Sequence, residues 1–306
     1  MKKLLINISI LSLLIGASLI AVFYGIRNPA NPQVDFLNQR FTNVNRIKND
    51  TSSHRIILVG GSNLGFGIDS KLMREVTGKT VQNLGLQRGL GVPYMLAEVN
   101  QVARSGDEVV FAFEYDFFYE KELSGITPLL ILENDPSHVE NFMAPDDMGR
   151  IVRFFPSFFR IKMNEKLFGG STVQNPIYHA DAFNDYGDVI SHLKEPSKIK
   201  DPNYRVFKLD RTDKNVNRIN DWILQHPEVT CTFTFPPLAM SKYLEYETEV
   251  LQLEKELKEL LNCPIKGTAK KSAYSDSLFF DSVNHLNAIG RAKRSRDLSK
   301  LIVTND

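Results

Sequence analysis

The chain has 306 residues, 42% hydrophobic and 24% charged, and its 37 basic and 36 acidic side chains leave a formal net charge of +1. This composition is typical of a folded protein and excludes wholesale disorder, and the length fits one large domain or two small ones. A net charge near zero provides no attraction for nucleic acid, and two cysteines cannot build a disulfide framework or a four-thiolate zinc site.

The N-terminus has the pattern of a membrane anchor. Lys2 and Lys3 precede an uncharged apolar run from Leu4 to Ile26, and Arg27 closes it. The run is longer than the about 20 residues that a helix needs to cross the hydrocarbon core. We therefore predict a transmembrane signal anchor over residues 1–27, with the main domain extracytoplasmic, either periplasmic or extracellular. A cleaved signal peptide, with residues 16–18 as the cleavage site, is the alternative.

The exported part alternates between strand and helix patterns. Residues 28–50 are rich in Asn, Pro, Gln and Asp, which predicts a linker or a short juxtamembrane helix. Short apolar, β-branched runs predict strands over 55–60, 80–86, 108–113 and 229–235. Helical periodicity predicts helices over 69–77 (with Asp69 as N-cap), 94–103, 216–225, 245–261 and 288–301. This alternation predicts a three-layer α/β domain over 51–306, with helices on both faces of a parallel sheet.

Residues 117–209 interrupt the alternation with an aromatic, proline-containing and irregular stretch. We predict an insertion here. It is either ordinary structure packed on the sheet domain, or a lid or partner-docking surface over the carboxyl edge of the sheet.

Ser62 follows two glycines where the first predicted strand ends, in the run Gly60-Gly61-Ser62-Asn63. The carboxyl edge of an open α/β sheet is where ligands bind, and glycines allow a tight turn that exposes a nucleophile. The same residues also fit a plain loop or a phosphate-binding turn. The chain contains neither a dinucleotide fingerprint nor a P-loop motif, so no cofactor is predicted.

A base and an acid for such a serine lie near the other end of the chain. Asp281 and His285 precede the last predicted helix, and a histidine oriented by a carboxylate is the usual partner of a serine nucleophile. Asp135 and His138, inside the insertion, are the alternative pair. The other histidines, at positions 54, 179, 192 and 226, show no ligand spacing, so no metal site is predicted.

Taken together, these segments resemble the SGNH/GDSL hydrolase superfamily. The resemblance rests on Gly61-Ser62 after the first strand, Asn83-Leu84-Gly85 after the second, and Asp281 with His285-Leu286-Asn287 before the last helix. The run Gly60–Asp69 is similar to the envelope branch of bacteria, which includes membrane-anchored proteins associated with O-acylation of cell-surface polymers. The resemblance covers residues 55–116 and 264–301, and it implies a flavodoxin-like SGNH fold.

The resemblance also implies a role for each matching residue. Ser62 would be the nucleophile, His285 the base and Asp281 its orienting partner, while the backbone N–H groups of Ser62 and Gly85 would form the oxyanion hole. Two features depart from the family pattern. Three residues instead of two separate Asp281 from His285, and Phe113-Glu114-Tyr115-Asp116 stands where the family has an oxyanion-binding asparagine. Either Asn63 substitutes for that donor, or activity is weak or absent.

Two functions follow as expectations. The first is a membrane-anchored extracytoplasmic serine esterase or O-acyltransferase that acts on acyl esters of cell-envelope glycans through an acyl-Ser62 intermediate. The second is a catalytically silent SGNH-like scaffold that binds glycan or docks an integral-membrane acyltransferase. The sequence does not separate hydrolase from transferase, because they differ only in whether water or a glycan hydroxyl accepts the acyl group.

Two smaller features leave alternatives open. Cys231 and Cys263 lie in the exported part, where they form either a disulfide or two buried thiols. The last helix carries four basic residues that predict either a solvated face or a patch for a membrane surface or an anionic polymer: Arg291, Lys293, Arg294 and Arg296.

Overall fold

The structure is a computed structural model that describes residues 2–27, 32–119, 125–134, 136, 145–169, 175–199, 204 and 214–303. The chain forms a mixed α/β domain behind one N-terminal apolar helix. Its elements in chain order are α1 Lys2–Ile26, α2 Pro32–Asn49, β1 Arg55–Gly60, α3 Ser62–Gly67, α4 Ser70–Thr77, β2 Thr80–Asn83, α5 Val92–Asn100, β3 Glu108–Ala112, α6 Thr127–Asn134, α7 Pro145–Phe168, α8 Lys214–Gln225, β4 Thr230–Thr234, β5 Leu238–Ala239, α9 Met240–Glu245, α10 Glu247–Leu260, β6 Ile265–Lys266, β7 Ala273–Tyr274 and α11 Ala288–Val303.

The predicted parallel sheet is confirmed. Five strands pair in parallel in the order β2-β1-β3-β4-β6, and Leu58 of β1 lies in register with Asn83 on one side and Val110 on the other. Strand β2 ends three residues before its predicted end, because the chain turns at Asn83, whose side chain accepts a hydrogen bond from the Gly85 amide. The carboxyl ends of the strands therefore meet at one edge, which carries residues 60–63, 83–85 and 113–116.

Helices cover both faces of the sheet, as predicted. On one face, Ile56, Leu58 and Val110 pack in one buried cluster with Met73 of α4 and Leu298 of α11. On the other face, α5 and α8 pack against each other and α5 packs on β1. The two-residue strands β5, β6 and β7 were not predicted, because two residues are too few to show an alternating pattern. The helix predicted over 245–261 corresponds to α10, and a short helix that was not predicted, α9, precedes it.

Helix α4 begins and ends as its sequence predicts. The side chain of Asp69 accepts a hydrogen bond from the Leu72 amide at 3.1 Å, and Gly78 ends the helix in the left-handed conformation at φ 67°.

We expect Asp69→Ala to lower the free energy of unfolding by about 1 kcal/mol, the usual cost of losing an N-cap. Chemical denaturation followed by fluorescence of the single tryptophan, Trp222, measures this change. Lys71→Ala, at an exposed position in the same helix, is the matched control and should change stability little. Equal stability of the two variants would contradict the capping role of Asp69.

Residues 32–49, for which the sequence left a linker or a short helix open, form helix α2. Helix α2 buries Phe36, Val44 and Ile47 in the main hydrophobic core. Its buried Arg40 donates to Glu98 of α5 at 2.9 Å. Burial raises the pKa of Glu98 to about 7, although Arg40 opposes this shift. Helix α2 is therefore an integral part of the domain.

The insertion is regular over much of its described length, so the prediction of an irregular stretch is wrong for α6 and α7. Its later part is fixed to the sheet domain by Asp188, a fully buried carboxylate. This carboxylate accepts hydrogen bonds from the Ser70 hydroxyl at 2.6 Å, from Asn83 Nδ2 at 2.9 Å and from Arg291 Nη2 at 3.1 Å. A buried charge with this many donors holds the insertion against the carboxyl edge of the sheet.

Among the described residues, one helix, α1, is long and apolar enough to cross a membrane. Cys231 and Cys263 are unpaired and buried, which agrees with the buried-thiol alternative. Burial raises the pKa of Cys231 to about 11 and that of Cys263 to about 12, so both thiols are poor nucleophiles at neutral pH.

Candidate active site

Ser62 is the first residue of α3, directly after the cap residue Gly61. Strand β1 reaches this helix through Gly60, where a Cβ would lie 2.3 Å from the carbonyl oxygen of Ala112, so only glycine allows the close approach of β1 to β3. Ser62 is partly exposed, whereas the five following residues of α3 are buried. The sequence predicted a turn at this point, and the structure has a short helix that presents the serine at the carboxyl edge.

Asp281 and His285 form a hydrogen-bonded pair. His285 Nδ1 and Asp281 Oδ1 are 2.7 Å apart, within a turn closed by the Phe280 amide, which donates to the His285 carbonyl at 2.8 Å. Burial alone would raise the pKa of Asp281, but the hydrogen bond from His285 and the charge of that ring lower the pKa below its ordinary value. The contact uses Nδ1, so Nε2 is the ring nitrogen that is left for proton transfer.

Phe66 connects the histidine to the serine helix. The His285 ring stacks on the Phe66 ring, with centroids 4.3 Å apart and planes 10° from parallel. Phe66 lies four residues after Ser62 in α3, so the two side chains share one face of the helix. The structure thus brings His285 to the face of α3 that carries Ser62. Within the described part of the chain, the Ser62 hydroxyl has no hydrogen-bond partner.

Two of the three predicted oxyanion donors are already occupied. The Gly85 amide donates to Asn83 Oδ1 at 2.9 Å. The Asn63 amide donates to Glu114 Oε1 at 3.1 Å, and its side-chain nitrogen donates to the Ala112 carbonyl at 2.8 Å. These contacts fasten α3 to β3, so the prediction that Asn63 substitutes for the missing asparagine does not fit the structure. The Ser62 amide alone among the three has no partner in the described residues.

Glu114 belongs to the segment 113–116, in which the resemblance placed an asparagine, and it faces the start of α3. Its carboxylate is buried and fills the space that a side chain at Gly61 would need, because a Cβ there would lie 2.4 Å from both carboxylate oxygens. Oε2 is buried without a hydrogen-bond partner among the described residues. The sequence showed only that the asparagine is absent. It did not show that a buried carboxyl group lies beside Gly61 and accepts from the Asn63 amide.

Two residues of the insertion lie next to the Asp281–His285 pair, Tyr178 at Asp281 and His192 at Leu286, and sequence reasoning missed both. Burial raises the pKa of Tyr178, and the charge of Asp281 and its hydrogen bond with the tyrosine hydroxyl raise it further. His192 Nε2 lies 3.1 Å from the Leu286 carbonyl oxygen, and burial lowers the pKa of His192 to about 4. His192 is therefore neutral, and its ring packs beside that of Phe66 with centroids 4.8 Å apart. Neither residue belongs to a sequence motif that would have predicted its position next to the Asp281–His285 pair.

The basic residues of α11 divide into two pairs. Lys293 and Arg296 are exposed, as a solvated face predicts. Arg291 and Arg294 are buried, so the prediction of a solvated face is wrong for them. Arg291 donates to Asp188, and Arg294 Nη2 donates to Asn63 Oδ1 at 3.2 Å. Burial lowers the pKa of Arg294 to about 10, although the nearby Tyr274, Glu114 and Tyr115 oppose the shift.

The alternative pair, Asp135 and His138, lies outside the described residues.

Over the described ranges, no three His, Cys, Asp or Glu side chains are grouped as a metal site requires. His226 takes part in a separate contact, with Nε2 2.7 Å from Asn100 Oδ1.

Comparison with known proteins adds little to this geometry. No protein-family model and no curated protein matches the chain. Among solved structures, the chain is similar to a protein from Streptococcus pneumonia that is provisionally described as a platelet activating factor. The two share 9% sequence identity with a TM-score of 0.40, over 87% of this chain and 92% of that chain. A likeness at this TM-score does not establish a shared fold.

Proposed function

We propose that the chain is a membrane-anchored serine esterase or O-acyltransferase with a flavodoxin-like SGNH fold. Its main domain would lie outside the cytoplasm, periplasmic or extracellular, and act on acyl esters of cell-envelope glycans. The observation that carries the proposal is the hydrogen-bonded Asp281–His285 pair. Its histidine ring stacks on Phe66, which lies one helical turn after Ser62 in α3. This arrangement supplies a nucleophile, a base and an orienting carboxylate at the carboxyl edge of a parallel sheet.

In the proposed reaction, Ser62 Oγ attacks the acyl carbonyl carbon while His285 Nε2 takes the hydroxyl proton. Asp281 holds the proton on Nδ1 and stabilises the imidazolium. The Ser62 amide donates to the oxyanion, and the leaving alcohol departs with the proton from Nε2. Water or a glycan hydroxyl then loses its proton to Nε2 and attacks the acyl-Ser62 carbonyl, and Nε2 returns that proton to Ser62 Oγ as the ester bond to the serine breaks.

The anchor supports the choice of substrate. Lys2 and Lys3 before α1 favour a cytoplasmic N-terminus, so the domain would face the polymers of the cell envelope. A domain held at the membrane reaches acyl groups on membrane-attached or membrane-proximal glycans without diffusing through the envelope. Hydrolysis and transfer share every step up to the acyl-Ser62 intermediate.

A second candidate function is a silent scaffold that binds a glycan or docks an integral-membrane acyltransferase. It is favoured by Glu114, whose buried carboxylate lies beside the start of α3 where an oxyanion would need donors. The occupied amides of Asn63 and Gly85 favour it further.

A fluorophosphonate probe separates the two candidates. We expect the full-length chain in membranes to be labelled, and Ser62→Ala to lose the label, because the probe reacts only with an activated serine. Ser275→Ala, which removes an exposed serine outside the site, is the matched control and should be labelled like the unmodified chain. Absence of Ser62-dependent labelling, together with a Ser62→Ala chain that fully rescues a deletion phenotype, would favour the scaffold.

A further inference from the structure

Helix α7 has two apolar faces, and only one of them packs on the protein. Phe158 and Lys162 lie on its buried face. A second stripe is exposed to solvent, and its members are Met148 (37% exposed), Val152 (66%), Phe159 (38%) and Leu167 (65%). On a helix of 3.6 residues per turn, these positions fall within an arc of about 100°, so they form one continuous face. Exposed apolar patches that are continuous mark interaction surfaces.

The exposed stripe adjoins the end of the membrane helix. The Phe158 ring stacks on Phe23 of α1, with centroids 5.6 Å apart, and Lys166 Nζ donates to the Gly25 carbonyl at 2.7 Å. Helix α7 therefore meets α1 at its last turn, where the apolar run of α1 ends. If α1 spans the membrane, this contact places α7 at the level of the lipid headgroups.

Charged residues favour a position of α7 along a membrane surface over entry into the hydrocarbon. Arg160 and Lys166 are both exposed and flank the apolar stripe on opposite sides. Long basic side chains of this kind extend toward lipid phosphates while their stems cover apolar surface. Arg27, at the end of α1, lies over the Tyr24 ring at 5.2 Å, which is the aromatic and basic pattern of a membrane interface.

Helix α7 also forms a buried ion pair with another helix of the insertion, α6. Lys162 Nζ lies 2.9 Å from Glu133 Oε2 of α6, and both side chains are fully buried. Arg27 at the end of α1 donates to the Glu133 carbonyl at 2.5 Å. The membrane helix, α6 and α7 thus meet at Glu133.

We propose that α7 is an interfacial helix, and that the lipid bilayer that anchors α1 covers its exposed stripe. The four stripe residues enter the boundary between headgroups and acyl chains, and Arg160 and Lys166 contact lipid phosphates. The proposal rests on the membrane anchoring in the proposed function and is independent of Ser62 chemistry. Its consequence is that two contacts, α1 and α7, hold the domain at a fixed orientation over the membrane.

Fluorescence quenching by lipids tests this placement. Val152→Cys and Leu167→Cys chains, labelled with the environment-sensitive fluorophore NBD, are reconstituted at full length in phosphatidylcholine–phosphatidylglycerol vesicles that contain doxyl-labelled phosphatidylcholine. The native thiols are buried with raised pKa values, so the introduced thiol reacts selectively. Leu224→Cys, an exposed position on α8, is the matched control.

We expect blue-shifted emission and loss of fluorescence at positions 152 and 167, and neither change at position 224. Equal quenching at all three positions, or at none, would overturn the proposal. A Ser62→Ala chain should give the same quenching pattern, so failure of the catalytic proposal leaves this result unchanged. Release of the chain from membranes by alkaline carbonate, with Ser62 labelling retained, would overturn the anchoring and this inference together while the catalytic proposal stands.

Discussion

Asp281→Asn is expected to lower ester turnover about 10⁴-fold, the loss seen when a triad carboxylate is replaced by its amide. Asp281 Oδ1 now accepts from His285 Nδ1 at 2.7 Å and so keeps the proton on that nitrogen. An asparagine can instead present its N–H₂ group to Nδ1, which favours the tautomer with the proton on Nε2. That tautomer cannot take the proton of Ser62.

Steady-state kinetics with an activated aryl ester measure the loss, and circular dichroism shows whether the fold is retained. The matched control is Asp276→Asn, which alters a carboxylate in the same loop region that accepts from the Ser241 amide at 3.0 Å. We expect nearly unchanged turnover in that control. A folded Asp281→Asn chain with full turnover would show that Asp281 does not orient the base, and the proposed mechanism would then be wrong.

The sheet could be predicted because its signals are local. Strands β1, β3 and β4 are short apolar runs, and α4 has both its N-cap, Asp69, and its terminal glycine, Gly78. The dyad was predictable for the same reason, since only three residues separate Asp281 from His285 and one turn holds both. These features depend on neighbours in the sequence, so the sequence alone was sufficient to find them.

The missed features depend on contacts between distant parts of the chain. Helix α3 has only six residues, two of them glycine, and is held by Asn63, whose partners lie on β3 and α11. The sequence of helix α2 resembles a linker because it is polar, but in the interior its Arg40 side chain donates a hydrogen bond to Glu98. Helix α7 has apolar residues on two faces, which hides the helical period that one buried face would show.

The occupied oxyanion donors are the most consequential example. Sequence motifs identify Asn63 and Gly85 as residues of the right type in the right place. Whether their amides are available depends on Glu114 and on the Asn83 side chain, which only the folded structure brings to them. A motif therefore identifies the residues of the proposed nucleophile and base more readily than the amides that would stabilise the transition state.

Glu114→Gln is expected to raise ester turnover about 10²-fold, the effect of one oxyanion donor. The Glu114 carboxylate lies against Gly61 and the Asn63 amide, at the start of α3, where in the proposed reaction it would repel the negative charge of the transition state. Glutamine has the same shape, and its carbonyl oxygen can still accept from the Asn63 amide, so α3 should keep its place. The N–H₂ group of the glutamine would place a hydrogen-bond donor where the glutamate has a carboxylate oxygen.

Turnover of an aryl ester in Glu114→Gln and Glu114→Met chains separates the two causes, because methionine removes the charge without adding a donor. We expect the glutamine chain to exceed the methionine chain, and both to exceed the unmodified chain. Lower turnover in Glu114→Gln would mean that the carboxylate takes part in the reaction, contrary to this prediction. The unmodified chain could instead have no esterase activity while the glutamine chain turns over ester through Ser62. In that case Glu114 is the residue that keeps the nucleophile and base inactive, and the scaffold function would be the native one.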